Sequence, residues 1–112
     1  MKITYDNPKV EKCFTDYGVM KKKLPSDWLK PIKKHINNLD ASDNFGIFLS
    51  LGLGKPEHLS GYEKPTYSLR ISANVRLIIE LQTNGEEIEE CESLIVKGVC
   101  DYHGSKSNWY IP

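Results

Sequence analysis

The sequence predicts an α+β domain in which two N-terminal helices pack on a small, mainly antiparallel sheet. Apolar residues recur at helical spacing in the first forty residues, and between residues 67 and 81 they alternate with polar ones. Helices that precede a run of strands are typical of this fold class. The 112 residues fit a single domain, which we expect to span residues 1–112, with 104–112 as a C-terminal extension.

The first elements follow from local signals. Residues 2–5 read as a short strand because they include β-branched and aromatic side chains. Asn7 and Pro8 then suit the N-cap and first position of a helix. Apolar residues at helical spacing continue to Tyr17, and Gly18 is a candidate C-cap before a connection of three lysines.

A second helix is predicted from Ser26 to about Asp40, because its apolar residues form one stripe. Pro31 falls inside this stretch, so we expect a kink there or a regular part that starts near Lys30. Between residues 41 and 64 glycines interrupt the apolar pattern, which predicts a short helix followed by a loop that holds residues 57–61.

The alternation at 67–71 and 75–81 predicts two strands, each with one apolar face. The turn at 83–85 contains Asn-Gly and leads to a further strand at 88–99, with a bulge near Ser93 or Gly98. The resulting element order is β-α-α-β-β-β.

The register of the first hairpin brings two arginines together. If both apolar faces point to the core, Ile71 lies opposite Val75, which requires a three-residue loop. Arg70 then lies directly across from Arg76, on the face turned away from the helices. Opposed like charges destabilise a sheet. The pair is therefore either a fork for phosphate or is neutralised by a carboxylate, for which Glu80, Glu90 and Asp101 are the candidates.

Charge is unevenly distributed although the total is zero. Residues 1–36 carry nine lysines against four acids, and residues 77–101 carry seven acids against one lysine. This asymmetry suits a basic face for a polyanion, or else solvated surfaces. The candidates for such a basic face are Lys21, Lys22, Lys23, Lys30, Lys33 and Lys34.

The sequence argues against three classes of protein: disulfide-stabilised, metal-binding and membrane-spanning. Three widely spaced cysteines form neither a disulfide framework nor a metal half-site, and the histidines are scattered. We therefore expect reduced thiols, no metal and no cofactor. The apolar stretches are too short to cross a bilayer and no signal-peptide pattern is present, so a cytoplasmic protein without a membrane partner is expected.

The strand that follows the turn leads into Asp101-Tyr102-His103, where we expect the last strand of the fold to end. Three segments together, 67–71, 74–78 and 99–103, resemble HigB, a toxin of type II toxin–antitoxin pairs in the RelE/ParE superfamily. Members carry a Trp/Tyr-Ser-Ile-Arg-Val hairpin strand and end on Val-Asp-Tyr-His. The resemblance covers residues 1–103 and implies a RelE-like fold.

The resemblance also implies an activity: a ribosome-dependent mRNA interferase, an endoribonuclease that inhibits translation and arrests growth. By position, Arg76, Asp101, Tyr102 and His103 match catalytic residues of the family, and Arg70 matches the first hairpin arginine. The implied partners are a HigA-like helix-turn-helix antitoxin, the ribosome and mRNA. Operator DNA would be bound only through the antitoxin complex.

The chemistry of RNA cleavage needs a base, a cationic phosphate site and an acid. His103 is the leading acid or base because the ordinary pKa of histidine, about 6.5, lies near neutrality. Asp101 would orient it, Arg70 and Arg76 would bind the phosphate, and Tyr102 could stack on a base.

The sequence departs from the family pattern before the hairpin, where Ser60 replaces an expected lysine. Accessory candidates for the second proton transfer or the missing charge are Glu57, His58, Lys55 and Lys64. Two other functions stay open: a ParE-like inhibitor of DNA gyrase, and a catalytically degenerate module that only binds the antitoxin.

Overall fold

The computed structural model describes residues 1–103 and 106–111, and the side chains of residues 1–101, Trp109 and Tyr110. Within these residues, one six-stranded sheet is packed against four helices. In chain order the elements are β1 (Lys2–Tyr5), α1 (Pro8–Thr15), α2 (Tyr17–Lys23), α3 (Ser26–Ala41), α4 (Phe45–Ser50), β2 (Glu57–Leu59), β3 (Thr66–Arg70), β4 (Val75–Leu81), a 3₁₀ turn (Ile88–Glu90), β5 (Ser93–His103) and β6 (Lys106–Ile111).

The strand order is β1-β5-β4-β3-β2, with β6 also paired to β5. Only the β1–β5 pair is parallel among the described strands. Strand β5 is long enough to take two neighbours on one edge: β1 pairs with its first four residues, and β6 pairs with its end. The predicted α+β class with a mainly antiparallel sheet is confirmed.

The first helix ends earlier than predicted. Helix α1 begins at the predicted cap, where the Asn7 side chain accepts hydrogen bonds from the backbone N–H groups of Lys9 and Val10. It ends at Thr15, because Asp16 is extended and its carboxylate accepts from the Val19 N–H to start α2. Gly18 as a C-cap is therefore wrong, and the expected basic connection belongs to α2.

The second predicted helix is confirmed as α3, with Pro31 inside it, and the short predicted helix is α4. The expected loop at 57–61 is wrong in part, because residues 57–59 pair with β3 as β2. The strand expected at 88–99 begins only at Ser93, after a 3₁₀ turn, and continues to His103. Residues 106–111 of the C-terminal extension add β6, so the fold does not end at His103.

The core lies between the helices and one face of the sheet. Tyr67, Leu69, Leu77 and Ile79 belong to that face and are buried, and the Phe45 ring lies 4.9 Å from the Tyr67 ring. The opposite face is called the outer face below. It carries Thr66, Ser68, Arg70, Arg76, Ile78, Glu80 and Cys100, as strand alternation requires.

A bulge in β5 preserves this separation of faces. Ile78 pairs with Gly98 and Ile79 pairs with Val96, so Lys97 is the inserted residue and the prediction of a bulge near Gly98 is confirmed. The Lys97 ammonium lies 2.9 Å from the carboxylate of Asp6 and 3.7 Å from that of Glu80. The hydrogen bond to Asp6 is the main cause that raises the pKa of Lys97.

We expect Asn7→Ala to destabilise the protein by about 1 kcal/mol, because two backbone donors of α1 lose their acceptor. Urea unfolding followed by circular dichroism measures this change. Lys9→Ala, on the exposed side of the same helix, is the matched control and should change stability by under about 0.5 kcal/mol. Equal losses for the two variants would contradict the capping role.

Candidate functional site

The two arginines of the chain, Arg70 and Arg76, are opposed in one hairpin. The predicted register is confirmed: the Ile71 N–H donates to the Val75 carbonyl at 2.9 Å, and residues 72–74 form the loop. Both arginines therefore lie on the outer face, at the loop end of the hairpin. Every guanidinium in the sequence is concentrated at this point.

The Arg76 guanidinium is held by the loop itself. Its Nη1 donates to the carbonyl oxygens of Ser72, Ala73 and Val75 at 2.8, 3.2 and 3.1 Å. Its Nε and Nη2 make no hydrogen bond to any described residue. Arg76 is thus fixed in position by neutral acceptors and keeps its positive charge uncompensated.

Carboxylates do not neutralise this pair among the described side chains. Glu80 is bonded to Lys97 instead, and neither arginine forms an ion pair with Glu90 or Asp101. The Arg70 side chain is exposed at the end of β3. No described carboxylate competes with the reading of the pair as a fork for phosphate, which stays a prediction.

Asp101 is not brought to the arginines. It pairs with Val75, whereas Arg76 pairs with Cys100, so Asp101 and Arg76 lie on opposite faces of the sheet. Its Oδ2 accepts from the Tyr110 hydroxyl at 3.3 Å, and the Tyr110 ring packs edge-on against Trp28 of α3, at 4.9 Å. The Asp101 carboxylate is therefore on the helix side of the sheet.

Tyr102 and His103 are the last two residues of β5, in register with Ser107 and Lys106 of β6. Their backbone continues the strand from Asp101, as predicted. Their side chains lie outside the described residues, so their catalytic roles stay predictions.

The four accessory candidates lie around the hairpin at different places. Glu57 pairs with Ser68 on the outer face, two residues from Arg70 along β3. His58 pairs with Tyr67 on the helix side, with ring centroids 5.3 Å apart. Lys55 follows Gly54, whose carbonyl accepts from the Arg70 N–H, and Lys64 lies in the loop between β2 and β3. Only Glu57 shares a strand face with the arginines.

His35 is a residue that the sequence reasoning missed. It is 6% exposed on α3, and its Nε2 lies 2.7 Å from the Arg70 carbonyl oxygen. Because a carbonyl can only accept, Nε2 carries the proton and Nδ1 is an acceptor, which is buried with no partner among the described residues. A histidine on the apolar stripe of a predicted helix was the available signal.

The His35 ring also contacts the segment before β2. A Cβ added to Gly54 would lie 2.9 Å from Cε1 of His35, and Gly54 has φ +74°, which side chains rarely adopt. The backbone of Arg70 is thus held from two directions, by the Gly54 carbonyl at its N–H and by His35 at its carbonyl.

A groove on the helical side lies between Tyr17 of α2 and the basic residues of α3. Lys30, Lys33 and Lys34 line it, and its volume is about 590 Å³. The Lys33 ammonium lies 3.8 Å from the centroid of the Tyr17 ring, and that of Lys21 lies 5.6 Å from it. Lys22 and Lys23 are exposed in the last turn of α2. Of the predicted lysines, Lys30, Lys33 and Lys34 line the groove, and no acidic residue of the described chain lines it.

Neither a metal-binding cluster nor a membrane-spanning helix is found among the residues that the structure describes. No group of three or more His, Cys, Asp or Glu side chains is arranged to hold a metal ion. No helix there has the length and apolarity needed to cross a membrane.

The sheet with its helices on one face is an α+β fold that is shared with a solved toxin structure. The chain is similar to the solved structure of a YoeB/ParE toxin from Agrobacterium tumefaciens, with a TM-score of 0.57 and 22% sequence identity. The match covers 92% of this chain and 100% of that one. No protein-family model and no curated protein matches the sequence. The likeness shows the fold.

We expect the buried His35 to make stability depend on pH. Burial lowers the pKa of His35, the hydrogen bond to Arg70 opposes this, and Lys34 lowers it further. The unfolded state, with a histidine pKa of about 6.5, therefore binds the proton first as pH falls. The contribution of neutral His35 is present above pH about 6.5 and is lost as pH falls below it.

The measurement is urea unfolding between pH 5 and 8 for the protein, His35→Gln and His58→Gln. His35→Gln removes the titrating group and should flatten the dependence of the unfolding free energy on pH in this window. His58→Gln, a change at an exposed position, should show the same dependence as the original protein. A His35→Gln curve parallel to the original would contradict the expectation.

Proposed function

We propose that the protein is a HigB-like toxin of a type II toxin–antitoxin system that cleaves mRNA on the ribosome. The observation that carries the proposal is the pair of opposed, unneutralised guanidinium groups on the outer face, which needs an anion. A phosphodiester is the anion that fits this fork, and the fold is that of a solved toxin. The resemblance of the hairpin and of residues 99–103 to HigB points to the same function.

In the proposed reaction, Arg70 and Arg76 bind the scissile phosphate and stabilise the charge that develops on it. The adjacent 2′-hydroxyl attacks the phosphorus after losing its proton, and the 5′-oxygen leaves after gaining one. His103 transfers one of these protons, and Tyr102 stacks on a base. Asp101 lies on the helix side of the sheet, so we propose that it acts through His103, which it would orient, and not on the phosphate itself.

For the second proton transfer we favour Glu57 over His58. Glu57 is on the same strand face as the arginines, whereas His58 is on the other face. Lys55 and Lys64 remain candidates for the charge that a lysine at position 60 would supply. The proposed partners are a HigA-like antitoxin, through which the complex binds operator DNA, and the ribosome, all in the cytoplasm.

We expect Arg76→Gln to lower the rate of mRNA cleavage by about 10²-fold, because one donor to the developing charge is lost. The assay is a reconstituted translation system in which cleaved message is counted by primer extension. Lys12→Gln, an exposed substitution on α1, is the control and should cleave at the original rate.

Two other outcomes would favour the alternative functions, a gyrase inhibitor or a module that only binds the antitoxin. Inhibition of gyrase supercoiling by the purified protein, with intact message, would indicate a ParE-like inhibitor. If the protein and its His103→Ala variant are equally harmless on expression, the chain is an antitoxin-binding module without catalysis.

The groove of α2 and α3 is the proposed dock for ribosomal RNA. We expect the triple change of Lys30, Lys33 and Lys34 to glutamine to weaken ribosome binding, and to reduce the slope of log K against log [salt] by about 2 to 3. Sedimentation with ribosomes at several salt concentrations measures both. Glutamines at Lys2, Lys9 and Lys12 provide a charge-matched control, and an equal change of slope in that variant would contradict a specific dock.

A further inference from the structure

A cavity of about 240 Å³ lies on the outer face, and Lys64, a candidate for the missing charge in the proposed reaction, is among the residues that line it. Its floor is Ile78, which is 1% exposed yet lies outside the main core cluster. Ile78 is two residues from Arg76 on the same face of β4, a distance of about 7 Å. The cavity therefore lies close to Arg76 on the outer face of the sheet.

Trp109, a residue of β6, forms one wall of this cavity. It pairs with Cys100, which in turn pairs with Arg76, so Trp109 and Arg76 flank Cys100 on the outer face. The two backbones are two strand spacings apart, roughly 10 Å. Trp109 is 40% exposed, so one side of an indole ring is available to a ligand beside the fork.

The chemistry of the lining differs from that of the fork. An apolar floor and an aromatic wall are combined with a hydroxyl acceptor on Thr66 and a carboxylate on Glu80. Two lysines also line the cavity: Lys97, whose ammonium is paired with Asp6 and Glu80, and Lys64. Aromatic and apolar surface with polar groups at its edge suits a flat heterocycle that stacks and forms hydrogen bonds. The volume of the cavity is below the ~300 Å³ at which drug-sized pockets begin.

From this juxtaposition we infer that the cavity binds one nucleobase of the RNA strand whose phosphate lies between Arg70 and Arg76, with the base stacked on Trp109. The inference rests on the proposed function and extends it, since it gives the C-terminal strand a role in substrate binding. Stacking on an aromatic ring is tolerant of sequence, so we expect the site to accept more than one base.

The test uses two short single-stranded probes with equal numbers of phosphates. One is a 2′-O-methyl RNA, which lacks the attacking hydroxyl and is not cleaved, and the other is an oligomer of abasic sugars. Affinity is measured by anisotropy for the protein, Trp109→Ala, Trp109→Phe and the Arg70→Gln/Arg76→Gln double variant. Trp28→Phe, which keeps the ring that packs on Tyr110 of the same strand, is the matched control.

We expect Trp109→Ala to bind the RNA about tenfold more weakly and the abasic oligomer equally well. Trp109→Phe should retain most of the affinity, and Trp28→Phe should bind both probes as the original does. In the Trp28→Phe background, the RNA should also quench the fluorescence of Trp109, and the abasic oligomer should not.

An equal effect of Trp109→Ala on both probes, or none on either, overturns the base site. The arginine double variant tests the proposed function separately, because it should weaken both probes. If it binds both as well as the original does, the phosphate fork fails while the base site stands on the Trp109 result. If the original protein binds neither probe, both proposals fail.

Discussion

The opposition of Arg70 and Arg76 is the constraint on which the rest of the site depends. A cross-strand pair of like charges is unfavourable, and a two-residue loop would avoid it by pairing Arg76 with Ile71. That register, however, would turn the apolar residues of one strand to solvent. Burial of the helix-facing side chains therefore fixes the three-residue loop, and the loop fixes the arginines. Burial of the core side chains therefore keeps the two guanidinium groups on neighbouring strands, although their like charges repel each other.

The protein holds the two arginines by different means. Arg76 is bound through its side chain to the carbonyl groups of its own loop, which have no charge and leave the guanidinium cationic. Among the described residues, Arg70 is held through its backbone, between the carbonyl of Gly54 and the imidazole of His35. Its side chain is exposed at the end of β3. The pair thus combines a guanidinium that is fixed by its own loop with one whose position is set through its backbone.

The hairpin could be predicted from the sequence because its determinants are local. Alternation over residues 67–81 gives the faces, and the loop length follows from matching them. The break between α1 and α2 was missed because a continuing apolar period outweighed the capping ability of Asp16. Strand β2 was missed because a three-residue strand has no pattern of its own and depends on β3. His35 was missed because its partner, a backbone carbonyl, has no signature in sequence.

At the end of β5 the outer face and the helix side of the sheet carry different side chains, and strand β6 contributes to both. The first half of the β5 edge is taken by β1, which stops at Tyr5, and the Lys97 bulge follows directly. Without a second neighbour, the remaining residues of β5 would present an open edge next to the arginines. β6 closes that edge, and its own irregular register sends Trp109 to the outer face and Tyr110 to the helix side. The same strand therefore gives the Asp101 carboxylate a hydroxyl donor on the helix side and adds an aromatic ring on the outer face, the face of the arginines. A segment that reads as a polar extension in the sequence thus determines what surrounds the arginines, because strand pairing, and not composition, decides where its two aromatic rings lie.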